Sequence, residues 1–352
     1  MSQARSAQPR DRHPHGVTAG GLGPAGELIV GVDVGGTKVS IATLRDGRLG
    51  DPKLSPTDLR GADQVIAQIV DGVLNATRGE TLAAVGVGIP SVVEFATGLV
   101  RSSVNIPLQD VPLRRVLEKA LGVPVFVDND ATVAALAEAH DEQGRLDVRH
   151  LVMLTIGTGV GGGIVIGGRP YRGATGGAGE IGHTLIGIEH DIPPATGHFP
   201  QPGSLEALAA GHELDRLTRE AAAASPRSTI GAALAKSGEV AGPETVAAAR
   251  AGDEVAIGLL RLLGRRVGIG VANAINTFDP DVVAIGGGVS AAGEFLLEPA
   301  KQAAREYVRE GLGSETEIRL ARSGPKAGVR GAALLARSEL HPHSDPYEKE
   351  TR

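Results

Sequence analysis

The sequence contains no cysteine. That absence removes disulfide staples, thiolate metal sites and thiol nucleophiles, and several enzyme classes with them. Tryptophan is also missing and aromatic residues make up only 2% of the chain, so stacking platforms for single-stranded nucleic acid are scarce. A formal net charge of −6 opposes the basic footprint that a nucleic acid needs. No apolar run is long enough to span a bilayer, because glycine interrupts each one. Residues 1–27 carry Arg5, Arg10 and Arg12 among Pro, Gly and His without an apolar core segment. A disordered extension is expected there rather than a secretory signal. The absences together describe a soluble cytoplasmic protein with neither nucleic acid nor membrane among its partners.

What is present is a set of short apolar runs punctuated by glycine, a pattern of α/β structure. Leu28 to Val34 reads as a buried strand, followed by Gly35-Gly36 and a second strand from Lys38 to Leu44, which suggests a hairpin. Val65, Ile66, Ile69, Val70 and Val73 have helical spacing within Ala62 to Ala76. Further strands are expected over Leu82–Ile89 and Val123–Val127, with a helix from Leu113 to Ala120 between them. Asp128-Asn129-Asp130 then opens an Ala-rich helix, with acidic residues where the helix dipole favours them.

The second half begins in the same way: strand Leu151–Ile156, turn Gly157-Thr158-Gly159, returning strand Gly163–Ile166. Helices are expected over Leu205–Ala224, Thr245–Arg250 and Glu254 to about Asn276, then a strand Asp281–Ile285 ending at Gly286-Gly287-Gly288. A helix, a strand Glu317–Leu320 and a helix Lys326–Arg337 close the pattern. The chain of 352 residues therefore divides into an N-terminal α/β lobe (28–142), a C-terminal α/β lobe (143–338) and a polar tail (339–352). A cleft between two such lobes is the expected place for a small-molecule site.

Three glycine turns carry candidate chemistry. In Asp33-Val34-Gly35-Gly36-Thr37-Lys38, bare backbone can approach a phosphate, Thr37 offers a hydroxyl and Lys38 a charge. Asp33 could hold Mg²⁺ through water. The same residues also fit an ordinary tight hairpin with an exposed lysine. Gly157-Thr158-Gly159-Val160-Gly161-Gly162 matches a dinucleotide fingerprint, but a strand follows where that motif needs a helix. A second phosphate-facing hairpin fits better. Gly286-Gly287-Gly288 could let a base or ribose lie on bare backbone, although strand-to-helix turns often carry glycine. Asp130 stands just past a strand end, where a carboxylate can take a hydroxyl proton or cap the helix. Glu180, His183 and Glu206 lie in Gly-rich surroundings and can accept hydrogen bonds from hydroxyls, or be solvated surface groups.

Together these segments resemble the ROK family of sugar kinases and repressors, from about Leu28 to Arg337. Asp33 to Lys38 is similar to the family's first phosphate turn, and Gly88-Ile89-Pro90 and Asn105-Ile106-Pro107 to its short markers. Asn129-Asp130-Ala131 is similar to its catalytic segment. The most specific match runs from Leu154 to Gly163 and through Arg172-Gly173-Ala174 to Gly179-Glu180-Ile181-Gly182-His183. Ile285 to Val289 is similar to the adenosine motif.

The resemblance implies a two-lobed actin-like ATPase (ribonuclease H-like) fold. It implies ATP and Mg²⁺, with Asp33, Gly35, Gly36, Thr37, Lys38, Gly157, Thr158, Gly159, Gly286, Gly287 and Gly288 holding the nucleotide. Asp130 would be the general base, and Asn105, Asn129, Glu180, His183 and Glu206 would hold the sugar. The implied reaction moves the γ-phosphoryl group to a hexose, with glucose O6 as the first expectation. The alternatives are an amino sugar (kanosamine, N-acetylmannosamine or N-acetylglucosamine) or a sugar-binding regulator without turnover. Family members are commonly dimers or tetramers.

Two departures stand out. Where many members have Cys-x-Cys-Gly-x-x-Gly-Cys-Leu-Glu binding structural zinc, this chain has Gly197 to Glu206 with the Gly and Leu-Glu frame and no thiolate. His183, His190, Asp191 and His198 match no closed zinc motif, so no structural zinc is expected. Pro193, Pro194, Pro200 and Pro202 are expected to stiffen the loop instead. The segment before Asp33 also lacks the helical periodicity of the winged helix-turn-helix found in ROK repressors, so DNA binding is not expected.

Overall fold

The computed structural model describes residues 24–103, 105–187 and 197–342. The chain opens with β1 (Leu28–Val34), β2 (Lys38–Arg45), β3 (Arg48–Leu49) and β4 (Lys53–Pro56). α1 (Ala62–Thr77), β5 (Leu82–Ile89), β6 (Ser91–Glu94), β7 (Leu99–Ser103) and β8 (Val111–Pro112) follow. α2 (Leu113–Leu121), β9 (Val125–Asn129) and α3 (Asp130–Glu138) complete this half. The first sheet has the order β3-β2-β1-β5-β9, with β4 beside β2. β2 is antiparallel to β1, whereas β5 and β9 run parallel to it. The hairpin and crossovers follow from the sequence, since a two-glycine turn reverses the chain locally and a parallel neighbour needs a helix-length crossover.

The second half contains β10 (Leu151–Ile156), β11 (Val160–Ile166), β12 (Arg169–Pro170), α4 (Leu205–Ala209), α5 (Gly211–Ala224), α6 (Thr229–Ser237) and α7 (Gly242–Arg250). It ends with α8 (Glu254–Phe278), β13 (Val282–Gly286), α9 (Glu294–Tyr307), β14 (Glu317–Leu320) and α10 (Ala327–Leu340). Its sheet has the order β12-β11-β10-β13-β14, again a hairpin with two parallel neighbours. The repeated opening in the sequence is thus a repeated sheet topology. It is the mixed α/β architecture of the actin-like ATPase fold.

Alternation within β1 decides what each face meets. Val30, Val32 and Val34 are buried with Val65, Ile69 and Val73 of α1 and with Leu113 and Leu117 of α2. Ile29, Gly31 and Asp33 point the other way, toward α10. A side chain at Gly31 would collide with the Val329 carbonyl, and one at Gly86 with that of Ala332, so glycine lets the last helix lie directly on this sheet. In the second sheet Val152, Leu154 and Ile156 are buried with α8, while Leu151 and Met153 are buried with Ala134 and Ala135 of α3. The chain therefore crosses between the sheets twice. α3 leaves the first sheet to cover the second, α10 returns to the first, and the two helices pack on each other.

Local differences from the sequence reading have physical reasons. The helix expected over Leu205–Ala224 breaks at Ala210, which is extended, and the Gly211 N–H donates to the Gly157 carbonyl at 2.7 Å. A long-range hydrogen bond overrides local helix propensity there. The strand expected over Val123–Val127 instead spans Val125–Asn129, after Pro124. The three-stranded sheet β6-β7-β8 and helix α6 were not expected. Residues 1–23, 188–196 and 343–352 lie outside the described residues, and with them His190, Asp191, Pro193, Pro194 and most of the expected tails. Glu27 and His341, just beyond the expected lobe limits, meet at 2.8 Å.

Candidate active site

Strand pairing alone brings the key segments together. Asp33 is in register with Gly88, and Gly88 with Asp128, so the parallel strands deliver their C-terminal ends along one edge. Two strand spacings put the Asp33 and Asp128 backbones about 10 Å apart. Asp130 follows two residues later as the first residue of α3. In the second sheet Thr155 pairs with Gly286, which sets the Gly157-Thr158-Gly159 turn beside Gly286-Gly287-Gly288. Ligands of open α/β sheets sit at such carboxyl ends.

Asp33 and Asp130 face each other electrostatically. The Asp33 carboxyl is pushed up from an ordinary 3.8 to about 6, first by burial and then by Asp130, with Lys38 pulling it down. Burial also raises Asp130, and Glu180 adds to the effect, while the Ala131 N–H counters it with a 2.8 Å hydrogen bond. Asp33 lies against Gly328 in the first turn of α10, where a Cβ would overlap its carboxylate. Gly35 and Gly36 form the β1–β2 turn, and Thr37 and Lys38 are exposed beside it. The turn is fixed from outside: the Thr57 hydroxyl donates to the Gly35 carbonyl at 2.6 Å and the Thr57 N–H to that of Thr37 at 3.1 Å. A Cβ on Gly36 would come within 3.0 Å of Asn105, so this turn and Asn105 are neighbours.

The second turn closes on itself through Gly157 N–H to the Gly159 carbonyl, 2.9 Å. Helix α5 then meets it: besides the Gly211 bond, His212 Nδ1 lies 2.9 Å from the Thr158 carbonyl. Glu206 accepts from the Val160 N–H at 2.7 Å, and a Cβ on Gly159 would stand 2.5 Å from the same oxygen. Gly287 needs its positive φ of 84° and also passes flush against the Ile156 backbone, whereas Gly288 faces open space.

The five expected sugar-holding residues fall into different situations. Asn105 and Glu180 are exposed, and His183 Nε2 lies 3.6 Å from Glu180 Oε2. The Phe199 and His183 rings meet edge to face, with centroids 5.5 Å apart. Asn129 is already committed, since its Oδ1 caps α3 by accepting from Ala131 and Thr132 N–H groups at 2.9 and 3.1 Å. Only its amide nitrogen reaches elsewhere, to the Ser91 carbonyl at 3.4 Å. Glu206 spans from helix α4 to the second glycine turn rather than standing free. Sequence reasoning missed Gly211, His212 and Gly328, which carry no motif and enter only through the packing of helix starts against strand ends.

The pair of inward carboxylates suits a divalent cation. Burial raises both, with Asp130 adding to Asp33 and Glu180 adding to Asp130, and a nearby cation would offset the cost of holding them charged. Among the described residues no three of His, Asp and Glu gather as a closed metal site. Ser204, at the place of a family cysteine, instead caps α4 by accepting from the Ala207 N–H at 3.2 Å. Among the same residues no helix is long and apolar enough to cross a membrane.

Comparison with known proteins gives the family. The family model described as "ROK family" matches residues 29–339. The chain is 34% identical over 317 residues to a glucokinase of Halalkalibacterium halodurans, covering 88% of this chain and 95% of that one. It is 31% identical over 320 residues to an N-acetyl-D-glucosamine kinase of Citrobacter koseri, covering 88% and 99%. Among solved structures it is similar to a ROK family glucokinase from Streptomyces griseus in complex with glucose and AMPPNP, at 32% identity and a TM-score of 0.73, covering 88% and 99%.

Proposed function

The chain belongs to the ROK family and is a hexose or amino-sugar kinase, and from that premise we propose that it transfers the γ-phosphoryl group of ATP to the 6-hydroxyl of glucose. The observation that carries the site assignment is the convergence of Asp33 and Asp130, two carboxylates raised by burial, at the carboxyl ends of the parallel strands of the first sheet.

In this reading Asp130 accepts the proton of the sugar hydroxyl, and its raised pKa makes it a stronger base than a free aspartate. Glu180 and His183 orient the other hydroxyls, together with Asn105 and the Asn129 amide nitrogen. Glu206 keeps the sugar side and the phosphate side in register, because its carboxylate is bonded to the Val160 N–H of the second turn. The backbone of Gly35, Gly36, Thr37, Gly157, Thr158 and Gly159 receives the phosphates, with Lys38 adding charge. Gly286, Gly287 and Gly288 leave room for the nucleoside. Asp33 would hold Mg²⁺ through water, and the ion would neutralise charge on the phosphates when bound. Catalysis then rests on positioning and charge neutralisation rather than on covalent chemistry. The reading includes a cytoplasmic enzyme that assembles as a dimer or tetramer.

A coupled ADP-release assay against a sugar panel tests it with ATP as donor, and direct detection of the sugar phosphate tests polyphosphate. Glucose with ATP is expected to give the highest kcat/KM. A higher value with a 3-amino or 2-acetamido sugar would move the assignment to an amino-sugar kinase. Absence of turnover with every sugar, despite sugar binding, would leave a regulator.

A further inference from the structure

Asp128 lies two residues before Asp130, at the end of β9, and its carboxylate is almost fully buried. One oxygen accepts from the Asn129 N–H at 2.9 Å, and the other from Arg172 Nε at 2.7 Å. Arg172 comes from the other sheet's side of the molecule, directly after β12, and opens the segment that ends at Glu180 and His183. Its guanidinium stands 3.5 Å above the centre of the Phe95 ring, and Nη2 is 3.5 Å from Glu339 of α10. Phe95 is itself held, since Arg114 donates to its carbonyl at 2.7 Å. One side chain thus joins β9, the β6–β7 turn and the end of α10.

The rest of the segment is fitted between the same two bodies. The Ala178 N–H donates to the Arg172 carbonyl at 3.1 Å, which closes residues 172–178 into a loop. Gly176 lies flush on the Val93 carbonyl of β6, and a Cβ at Gly179 would stand 2.6 Å from the Gly162 carbonyl of β11. The loop is therefore wedged between the first lobe and β11, and Arg172 is its charged anchor. A buried charge pair of this kind is poor evidence for net stability but fixes geometry, because either partner alone would be an uncompensated charge.

We infer that Arg172 is a positioning residue, which through Asp128 holds the Glu180–His183 segment in register with the Asn129–Asp130 segment. The inference rests on the kinase reading for its consequence, since that reading makes the first segment the sugar side and the second the base. It follows that losing Arg172 should impair the sugar more than the nucleotide.

The test uses the full chain and the best sugar of the panel. Arg172→Gln is expected to raise the sugar KM by about 10- to 100-fold, as misplacement at a site remote from the reacting atoms does, with the ATP KM within about twofold. Arg172→Lys, which keeps the charge, should restore part of the loss. The double variant Asp128→Asn/Arg172→Gln removes both charges and so leaves neither one buried alone. It should fold and be no worse than Arg172→Gln, because the two changes break one interaction. Unchanged sugar KM in Arg172→Gln or the double variant, or equal rises for sugar and ATP, would overturn the inference. Amide hydrogen exchange provides a readout independent of turnover: residues 173–183 should exchange faster in Arg172→Gln, while α8 does not. If the wild type phosphorylates no sugar, the kinase reading fails, and unchanged exchange in 173–183 would then refute the anchor by itself.

Discussion

Asp33 offers the sharpest quantitative test, because the site geometry works against the stability of the unliganded protein. Its carboxyl is raised from 3.8 to about 6 by burial and by Asp130. Two units correspond to about 3 kcal/mol of difference between its protonated and charged forms. The folded state holds this proton more tightly than the unfolded chain does. Between pH 4 and pH 6 the folded protein therefore binds more protons, and its stability falls as pH rises through that window. Asp33 keeps partial access to the cleft, so the measured effect should be about 1–3 kcal/mol rather than the full value. Asp33→Asn removes the titration while keeping the shape. Thermal or urea unfolding of the two proteins, followed from pH 4.5 to pH 7 without nucleotide, should show the variant gaining on the wild type as pH rises. Saturating Mg²⁺ and ATP should favour the wild type instead, because the charged carboxylate then has a counter-ion. A wild-type-minus-variant difference that stays flat across this pH range would refute the assigned environment of Asp33.

Asp130→Asn should lower kcat by about 10²- to 10⁴-fold, the range for a removed general base. Sugar affinity from titration calorimetry should change little, and a variant with near-normal kcat would exclude Asp130 as the base. Glu206→Gln weakens the bond to the Val160 N–H, which ties the sugar side to the second glycine turn, so both KM values should rise together in steady-state kinetics. Arg319→Leu strips the 2.8 Å partner from the buried Glu138, and stability should fall by about 3–5 kcal/mol in urea unfolding, moderated by the Arg322 and Ser323 N–H bonds that remain. Exhaustive treatment with EDTA should leave sugar binding intact, and stoichiometric zinc in the purified protein, lost together with binding, would contradict the metal-free reading of the 183–206 segment.

Much of the molecule was legible in the order of its residues. Apolar runs ending in glycine mark the strands and their turns, since period-2 burial and the need for bare backbone at a tight turn are both local properties. Hence β1, β2, β5, β10 and β11 and the three glycine turns could be located from composition and spacing. So could Asp130, since a strand end followed by an Ala-rich helix places a carboxylate at a helix start wherever that helix goes.

The partners of those segments could not be read, because nothing local encodes them. Gly31 and Gly86 look like ordinary strand glycines until α10 lies on them, and Gly328 looks like a helix defect until Asp33 fills the space a Cβ would take. The break at Ala210 exists because the Gly157 carbonyl, far away in sequence, accepts from the Gly211 N–H, which is a demand of packing rather than of propensity. Asn129 and Glu206 could be chosen as polar site residues, but only the tertiary structure shows that one spends its oxygen capping α3 and the other is bonded to the second turn. Sequence determined which short pieces form and where a phosphate could approach bare backbone. The crossing of α3 and α10 between the sheets, a matter of long-range contact, decided that Asp33 and Asp130 meet.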